Sequence, residues 1–471
     1  MIDSLHTLDA CEIADAVGAG ELKATEVLDS CLERIGRFDA TINAFVQIDA
    51  EGAREQAEII DLRVARGENP GPLAGVPIGV KDLEDARGLP TRHGSLLSSQ
   101  AHAGADSTQV ERIRASGAVI LGKTTTPELG SAFYTSSKLS GTTRNPWNPQ
   151  RTPGGSSGGS AAAVSAGLAP LATGSDGGGS IRIPSSYSGL PGLKVTYGLI
   201  PRGPNVRDSS NLTTYGPIAR CVRDIARFLD QVVGDHPMDP FSIPHTGVKF
   251  EDCLNLPLKG LTAVWSASLG FGTCDAEVEG LARAAAERFF QIAQIEEVSA
   301  DVDLPDLAPA WAIPAASDCY SELKEFWPSR QDEMTPIVNL AMQLTESLQP
   351  EQYAEATQMR YEALRQINHS FEDADFIVTP TTPTAAFDAE GPIPMEINGQ
   401  FVDNPLIGVC FTYPFNLTGH PAISIPAGLT SAGLPVGFQI VGPRLTEARL
   451  LSAARLVEIE SPWPKLAPDY D

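Results

Sequence analysis

TPGGSSGGSAAAVSAGLAPLATGSDGGGSIRIPSS, residues 152–186, carries two serines, Ser156 and Ser180, in separate glycine-rich loops. Upstream, PLAGVPIGVKDL (residues 72–83) sets Lys81 in an apolar run where Asp82 is the one obvious carboxylate neighbour. A serine hydroxyl is a poor nucleophile until a base takes its proton. Lysine at its ordinary pKa is neutral in only about 4 molecules per 10,000 at neutral pH, so it serves as a base only when perturbed. Apolar burial disfavours the ammonium, and Val76, Ile78, Val80 and Leu83 offer such surroundings. Glycines permit tight turns and bring backbone N–H groups close to a ligand. The amides of Gly177, Gly178, Gly179 and Ser180 are therefore candidates to hold a developing oxyanion, where one donor is worth roughly a hundredfold to a thousandfold in rate. The combination points to acyl transfer on a carbonyl without histidine.

Each feature alone has a plainer reading. Gly-rich stretches are commonly linkers, and most lysines are solvated or ion-paired. Here GGSSGGS runs directly into AAAVSAGLA, which reads as a short buried helix, and GSDGGGSIRIP leads into an apolar, turn-rich segment. Neither stretch matches the phosphate-cradling patterns GxxxxGK[ST] or GxGxxG.

Together, PLAGVPIGVKD, AVILGKT, GTTRNPWNPQRTPGGSSGGSAAAVSAG and TGSDGGGSIRIP resemble the amidase signature hydrolases. The resemblance continues through GLKVTYGLIPR and PIARCVRDIA and returns in FIVTPTTPT, PAISIPAG and LPVGFQIVG, leaving aside about residues 235–369. It implies a Ser-cisSer-Lys triad, with Ser180 as nucleophile, Ser156 as the bridging serine in a cis peptide, and Lys81 as base. The twenty-four positions between Ser156 and Ser180 fit the family register and select Ser156 over Ser157. The family commonly reads DTGGS, whereas this chain has Gly177 at the Thr position. That change removes any side-chain role there but keeps the amide.

Two functions follow from the resemblance. One is a standalone hydrolase of small amides, with aryl amides, esters and carbamates (urethanes) within reach of the same acyl-enzyme. The other is the glutaminase A subunit of a tRNA-dependent amidotransferase complex. That subunit is expected to hold glutamine with an Arg in its middle region and an Asp just before a Phe-Thr. Here GVCFTYPFNLTG puts Val409 at the Asp position, and the middle segment has no Arg-Arg-x-x-Leu-Gly. Losing a buried ion pair to a charged substrate costs several kcal/mol, on the order of 3–5, which favours the hydrolase. Gly130 and Ser156 are expected to contact the substrate. Pocket walls are expected from residues 130–134, the loop 207–215 and the middle segment, with Phe411, Tyr413 and Phe415 hinting at an apolar or aryl group.

The net charge of −25 opposes nucleic acid and other polyanions, leaving a small-molecule amide or ester as the expected partner. Seven scattered cysteines without CxxC fit reduced, buried thiols, and seven scattered histidines without HExxH give no metal site. No cofactor is expected. The N-terminus lacks a basic n-region and a long apolar core, and the small-residue run 161–172 is too short to span a bilayer. The expectation is a cytoplasmic monomer or homodimer with no membrane contact.

Periodicity sets the architecture. Val27, Leu28, Cys31, Leu32 and Ile35 share one helical face over residues 25–38, with Thr25 as N-cap, and residues 8–17 read as a preceding helix. Strand-like runs at 76–80, 119–121, 377–379, 422–425 and 437–441 alternate with helical patterns at 276–293, 351–370 and 446–458. This predicts an α/β protein with a mixed central β-sheet flanked by helices on both faces. The expected organisation is one domain over residues 1–471. N-terminal helices (1–65) pack on its core, and a variable helical insertion (235–370) shapes the pocket. Trp311, Tyr320, Phe326 and Trp327 in that insertion are read as core aromatics.

Overall fold

The run expected as a strand over 76–80 is the strand Pro77–Lys81 (β2), and every residue in it is buried. It pairs in parallel with Val119–Thr124 (β3) on one side and Leu171–Asp176 (β4) on the other, both also buried throughout. Strands covered on both faces read as continuous apolar or small-residue runs, which is why these three lack alternation. Phe45–Ile48 (β1) adds antiparallel to β3, and Thr214–Ala219 (β6) adds antiparallel to β4. The result is a five-stranded mixed sheet in the order β1-β3-β2-β4-β6. The computed structural model describes residues 2–206, 209–300, 302–404 and 406–470.

Six further strands form a second mixed sheet. They are Gly192–Lys194 (β5), Thr262–Trp265 (β7), Glu296–Glu297 (β8), Phe376–Pro380 (β9), Ala422–Leu429 (β10) and Pro435–Val441 (β11), in the order β8-β7-β9-β11-β10-β5. Contacts between β5 and β6 bring the two sheets side by side, so the central layer is a mixed sheet in two hydrogen-bonded parts.

Thirteen α-helices among the described residues cover these sheets. In chain order they are Ala10–Gly18 (α1), Ala24–Ile42 (α2), Ala50–Ala65 (α3), Thr108–Ala115 (α4), Gly158–Ser165 (α5), Arg182–Tyr187 (α6) and Val222–Val232 (α7). The remainder are Ala276–Ala293 (α8), Ala308–Leu323 (α9), Pro336–Ser347 (α10), Pro350–Asp373 (α11), Tyr413–Leu417 (α12) and Glu447–Glu460 (α13). Helix α8 docks Phe289 against Phe376 of β9 and Phe438 of β11, with ring centroids 6.4 and 6.5 Å apart. Burying such a ring contributes about 1.5–3 kcal/mol. Among the described residues no helix is long and apolar enough to cross a membrane.

Three local expectations change. Thr25 is not the N-cap of α2, because the helix begins one residue earlier, behind Lys23. Its first amides are satisfied from a distance instead: Asp61 of α3 accepts from Ala24 N at 2.7 Å, Thr25 N at 3.3 Å and Thr25 Oγ1 at 2.7 Å. A carboxylate at a helix N-terminus satisfies otherwise orphaned N–H groups and meets the positive end of the helix dipole. The segment 1–65 is also not helical throughout, since β1 lies within it. Likewise the middle segment is not a purely helical insertion. Its strand β7 pairs in parallel with β9, with Ile377 opposite Val264, so part of the segment is integral to the second sheet.

Candidate active site

Strands β2 and β4 are adjacent and parallel, and both end at the same edge of the sheet. Ligands commonly sit outside the carboxyl ends of parallel strands. There β2 delivers Lys81 as its last residue and β4 runs into the Gly177–Gly178–Gly179–Ser180 turn. The Lys81 amide donates to Thr173 Oγ1 of β4 at 3.0 Å, which fixes the two strand ends together.

Lys81 is fully buried, and Asp82 is not its partner. Asp82 turns to Lys123 of β3, 3.5 Å away, and accepts from the amides of Arg92 and Gly94. Lys81 Nζ lies instead 2.8 Å from Ser156 Oγ, 2.7 Å from Ser157 Oγ and 2.9 Å from Ser175 Oγ, with Ser175 O at 3.4 Å. Burial pushes its pKa down to about 7, against the opposing pull of Glu84 and Asp176. An amine that sheds its proton near neutrality among hydroxyls can act as their base.

Ser156 and Ser157 precede α5, and the Gly155–Ser156 peptide is cis. Both hydroxyls reach Lys81, so contact with the amine does not by itself separate them. Their other commitments do. Ser157 Oγ is shared with Ser175, accepting from its amide and contacting its carbonyl, both at 3.3 Å. Ser156 Oγ has no further hydrogen bond among the described residues, and on its open side stands Gly130 with φ +69°. A Cβ at Gly130 would sit 3.2 Å from Ser156 Oγ, so glycine there keeps the approach to that hydroxyl clear.

Ser180 is 8% exposed against 2% for Ser156, which makes it the more accessible of the two residues. Its carbonyl accepts from Ser157 N at 3.3 Å, tying the two loops. The Ser156 and Ser180 hydroxyls do not hydrogen-bond to each other here. Catalytic hydrogen bonds often tighten only with substrate in place.

The glycine turn departs from expectation at one position. Gly179 N–H donates to Asp176 Oδ1 at 2.7 Å, so this amide is committed and is not free for an oxyanion. The amides of Gly177, Gly178 and Ser180 carry no hydrogen bond among the described residues. The peptide groups are held by residues outside the motif. Trp311 Nε1 of α9 donates to Gly177 O at 2.7 Å, and Thr412 Oγ1 donates to Gly178 O at 2.6 Å.

Beneath the turn, Asp176 pairs with Arg182, both fully buried, through Nη2 at 2.9 Å and Nε at 3.0 Å. Arg182 also reaches Gln439 and Asn416, and Asn416 Nδ2 donates to Asp176 O at 2.7 Å. Burial works to raise the Asp176 pKa, but the Arg182 guanidinium overrides it and holds the carboxyl well below the usual range. Removing one partner of such a pair leaves a buried charge uncompensated. Asp176→Asn is therefore expected to lose about 3–5 kcal/mol of stability. Denaturant unfolding checks this, and a loss under about 1 kcal/mol would contradict the pairing.

The walls are partly those expected. Phe133 lies 6.2 Å from Trp311, centroid to centroid, and Trp311 lies 6.1 Å from Tyr413, which in turn neighbours Phe271. Trp311 packs against the core, as expected, and also reaches the glycine turn. Tyr320, Phe326 and Trp327 instead pack around Leu323, Met334 and Met342. Phe411, Tyr413 and Phe415 are all fully buried and belong to the core. In the loop 207–215, Thr213 packs against Gly177, while Arg207 and Asp208 lie outside the described residues. Away from the site, Asp9, Cys221 and Asp224 come together, but Asp224 caps α1 through the amides of Ala10 and Cys11, and Asp9 pairs with Lys465.

Comparisons with known proteins align with this geometry. The family model described as Amidase matches residues 26–451. An acylamidase of Rhodococcus erythropolis is 35% identical over 469 residues, covering 99% of this chain and 98% of the relative. The A subunit of the glutamyl-tRNA(Gln) amidotransferase from Roseiflexus sp. (strain RS-1) is 34% identical, with 99% of each chain covered. Among solved structures, a bacterial aryl acylamidase of the amidase signature family superposes with a TM-score of 0.90 at 30% identity, covering 97% of this chain and 96% of its own. A 6-aminohexanoate cyclic dimer hydrolase gives 0.89 at 30% identity, with 99% of each chain covered.

Proposed function

Because the chain belongs to the amidase signature family and is a hydrolase of amide carbon–nitrogen bonds, we propose that it is a serine amidohydrolase of small amides working through an acyl-enzyme. The observation that carries this reading is the contact of buried Lys81 Nζ with Ser156 Oγ, beside a turn that presents Ser180 and unspent amides. In this mechanism Ser180 Oγ attacks the carbonyl carbon while its proton passes through Ser156 Oγ to neutral Lys81 Nζ. The Gly177 and Gly178 amides, with that of Ser180, hold the oxyanion. The carbon–nitrogen bond then breaks as Ser156 returns a proton to the leaving amine. Water, activated by the same base, releases the acid and restores Ser180.

The rings of Phe133 and Trp311 beside the glycine turn support an aryl or apolar substrate group, and the same route accommodates esters and carbamates. The second reading, a glutaminase subunit, is favoured by the similarity to amidotransferase A subunits. Against it stands Val409, fully buried and apolar where a carboxylate would hold the substrate's ammonium. The net charge of −25 also opposes a direct tRNA surface. On the first reading the enzyme acts alone in the cytoplasm, as monomer or homodimer, without nucleic acid, membrane or cofactor.

Incubating the purified chain with an aryl amide and with glutamine separates the two. The expected result is arylamine release with ammonia release from glutamine at least about a hundredfold slower, as loss of a charged-group partner implies. Comparable rates would reverse the assignment.

A further inference from the structure

Glu128 opens the turn Glu128–Gly130, which sets Gly130 on the open side of Ser156 Oγ. The turn is strained, with Leu129 at φ +51° and Gly130 at +69°. A residue with a side chain persists in that region only where its surroundings over-determine it. Here Leu129 N donates to His93 O at 2.8 Å and Gly130 N to Pro127 O at 2.9 Å. The Leu129 side chain packs on a small core separate from the main one, made by Leu97, Leu323 of α9, Met334, and Val338 and Met342 of α10.

The Glu128 carboxylate joins these pieces. The residue is 2% exposed, and it forms no ion pair among the described residues. Oε1 accepts from Ser95 Oγ at 2.7 Å, and Oε2 accepts from Thr335 N at 2.6 Å. A buried carboxylate without a cation is stable only when donors are aimed at it. These two donors come from opposite sides, one from the loop that follows β2 and one from the middle segment. Thr335 is the N-cap of α10, so the carboxylate also meets the positive end of that helix. Helix α9, packed against α10, carries Trp311 and its bond to Gly177 O. The middle segment is thus fastened to the site twice, at the turn of the nucleophile and at the turn facing Ser156.

We propose that Glu128 is a positioning residue for the leaving-group side of the site: its carboxylate locks the turn 128–130 between Ser95 and α10, and so fixes the wall that Gly130 presents to an amide nitrogen lying at Ser156 Oγ. The proposal rests on the acyl-transfer reading above, in which Ser156 returns a proton to that nitrogen. Without the lock the leaving amine drifts from its proton donor. Lys81 and Ser156 keep their contact, which runs through neither Glu128 nor Thr335.

The test compares two reactions at Ser180. Hydrolysis of an aryl amide needs a proton delivered to the leaving nitrogen. Labelling by a small alkyl fluorophosphonate forms the Oγ–P bond and breaks P–F, with the serine proton passing to Lys81 and fluoride leaving without one. Glu128→Ala should lower kcat for the aryl amide by about ten- to a hundredfold, the scale of roughly an ångström of misplacement, with labelling within about threefold of wild type. Glu128→Gln keeps an acceptor for Thr335 N and a polar group for Ser95, and should recover most of that loss. Thr335→Pro attacks the same contact from the other side. Thr335 already has φ −74° and ψ 158°, which proline adopts, and its hydroxyl makes no hydrogen bond, so the change takes away the N–H that Glu128 accepts. It should give the same split between the two rates. A merely structural role would lower turnover and labelling together, in step with the folded fraction, and that result overturns the proposal. Full amide turnover in Glu128→Ala overturns it as well. If Glu128→Ala shows no cooperative melt, Thr335→Pro decides by the same two rates. Absence of any Ser180 labelling in wild type would instead defeat the acyl-transfer reading on which the proposal stands.

Discussion

Ser180→Ala is expected to lower turnover by roughly 10⁵–10⁶-fold, the scale seen when a hydrolase loses a nucleophile that acts as a unit with its base. On the proposed mechanism no acyl-enzyme forms without Oγ, and the backbone amides at positions 177, 178 and 180 that remain only bind and polarise the carbonyl. The fold should not change, because the Ser180 hydroxyl makes no hydrogen bond among the described residues while its carbonyl still accepts from Ser157 N. A melting temperature within a degree or two of wild type, together with lost turnover, is the expected pair of readings, since substitutions that break no packing or hydrogen bond stay within about 0.5 kcal/mol. Mass spectrometry after fluorophosphonate treatment should find the adduct on Ser180. An adduct on Ser157, whose hydroxyl also touches Lys81, or full activity in Ser180→Ala, would reassign the nucleophile.

Lys81→Met comes second in size. Methionine nearly conserves the buried volume, so the change removes the amine and little else. The loss should reach about 10²–10⁴-fold or more, the range attributed to a positioned general base. In wild type the sign of the pH effect follows from which form is active. On the proposed mechanism Lys81 works as the neutral amine, and burial brings its pKa to about 7. Activity should therefore rise with pH through neutrality, reach a plateau in the alkaline range, and fall on acidification as the ammonium forms. That acid limb should vanish in Lys81→Met. An unshifted limb in the variant would show that another group controls it. Chelators should leave the rate unchanged, and inhibition by EDTA that added metal restores would overturn a base of this kind.

The sequence made the candidate site legible where residue type alone is diagnostic. Lys81 in an apolar run and two serines between glycines are unusual enough to be read, and Lys81 and Ser156 do meet. Helices with strong periodicity were equally readable: the pattern over 276–293 is helix α8. What escaped depends on partners distant in sequence. Nothing near Thr25 reveals that Asp61 caps α2. Strand β7 is only four residues long, Thr262–Trp265, too short to separate from its surroundings by alternation. Trp311 looked like any core aromatic because its role rests on one hydrogen bond to Gly177, 134 positions away. Aromatic content near residue 411 misled in the other direction, since Phe411 and Phe415 fill the interior.

That same indole links two properties usually treated as separable. Trp311 comes from the middle segment, outside the motifs that carried the family resemblance, yet it holds the carbonyl of the peptide unit that feeds the Gly178 amide. Thr412, from a second distant loop, holds the next one. Swapping the middle segment between relatives to change substrate preference would therefore also re-aim the proposed oxyanion donors, where small displacements alter rate steeply. Chimeras that transplant a pocket without its indole would inherit selectivity and forfeit speed. Those that keep the indole could be judged on selectivity alone.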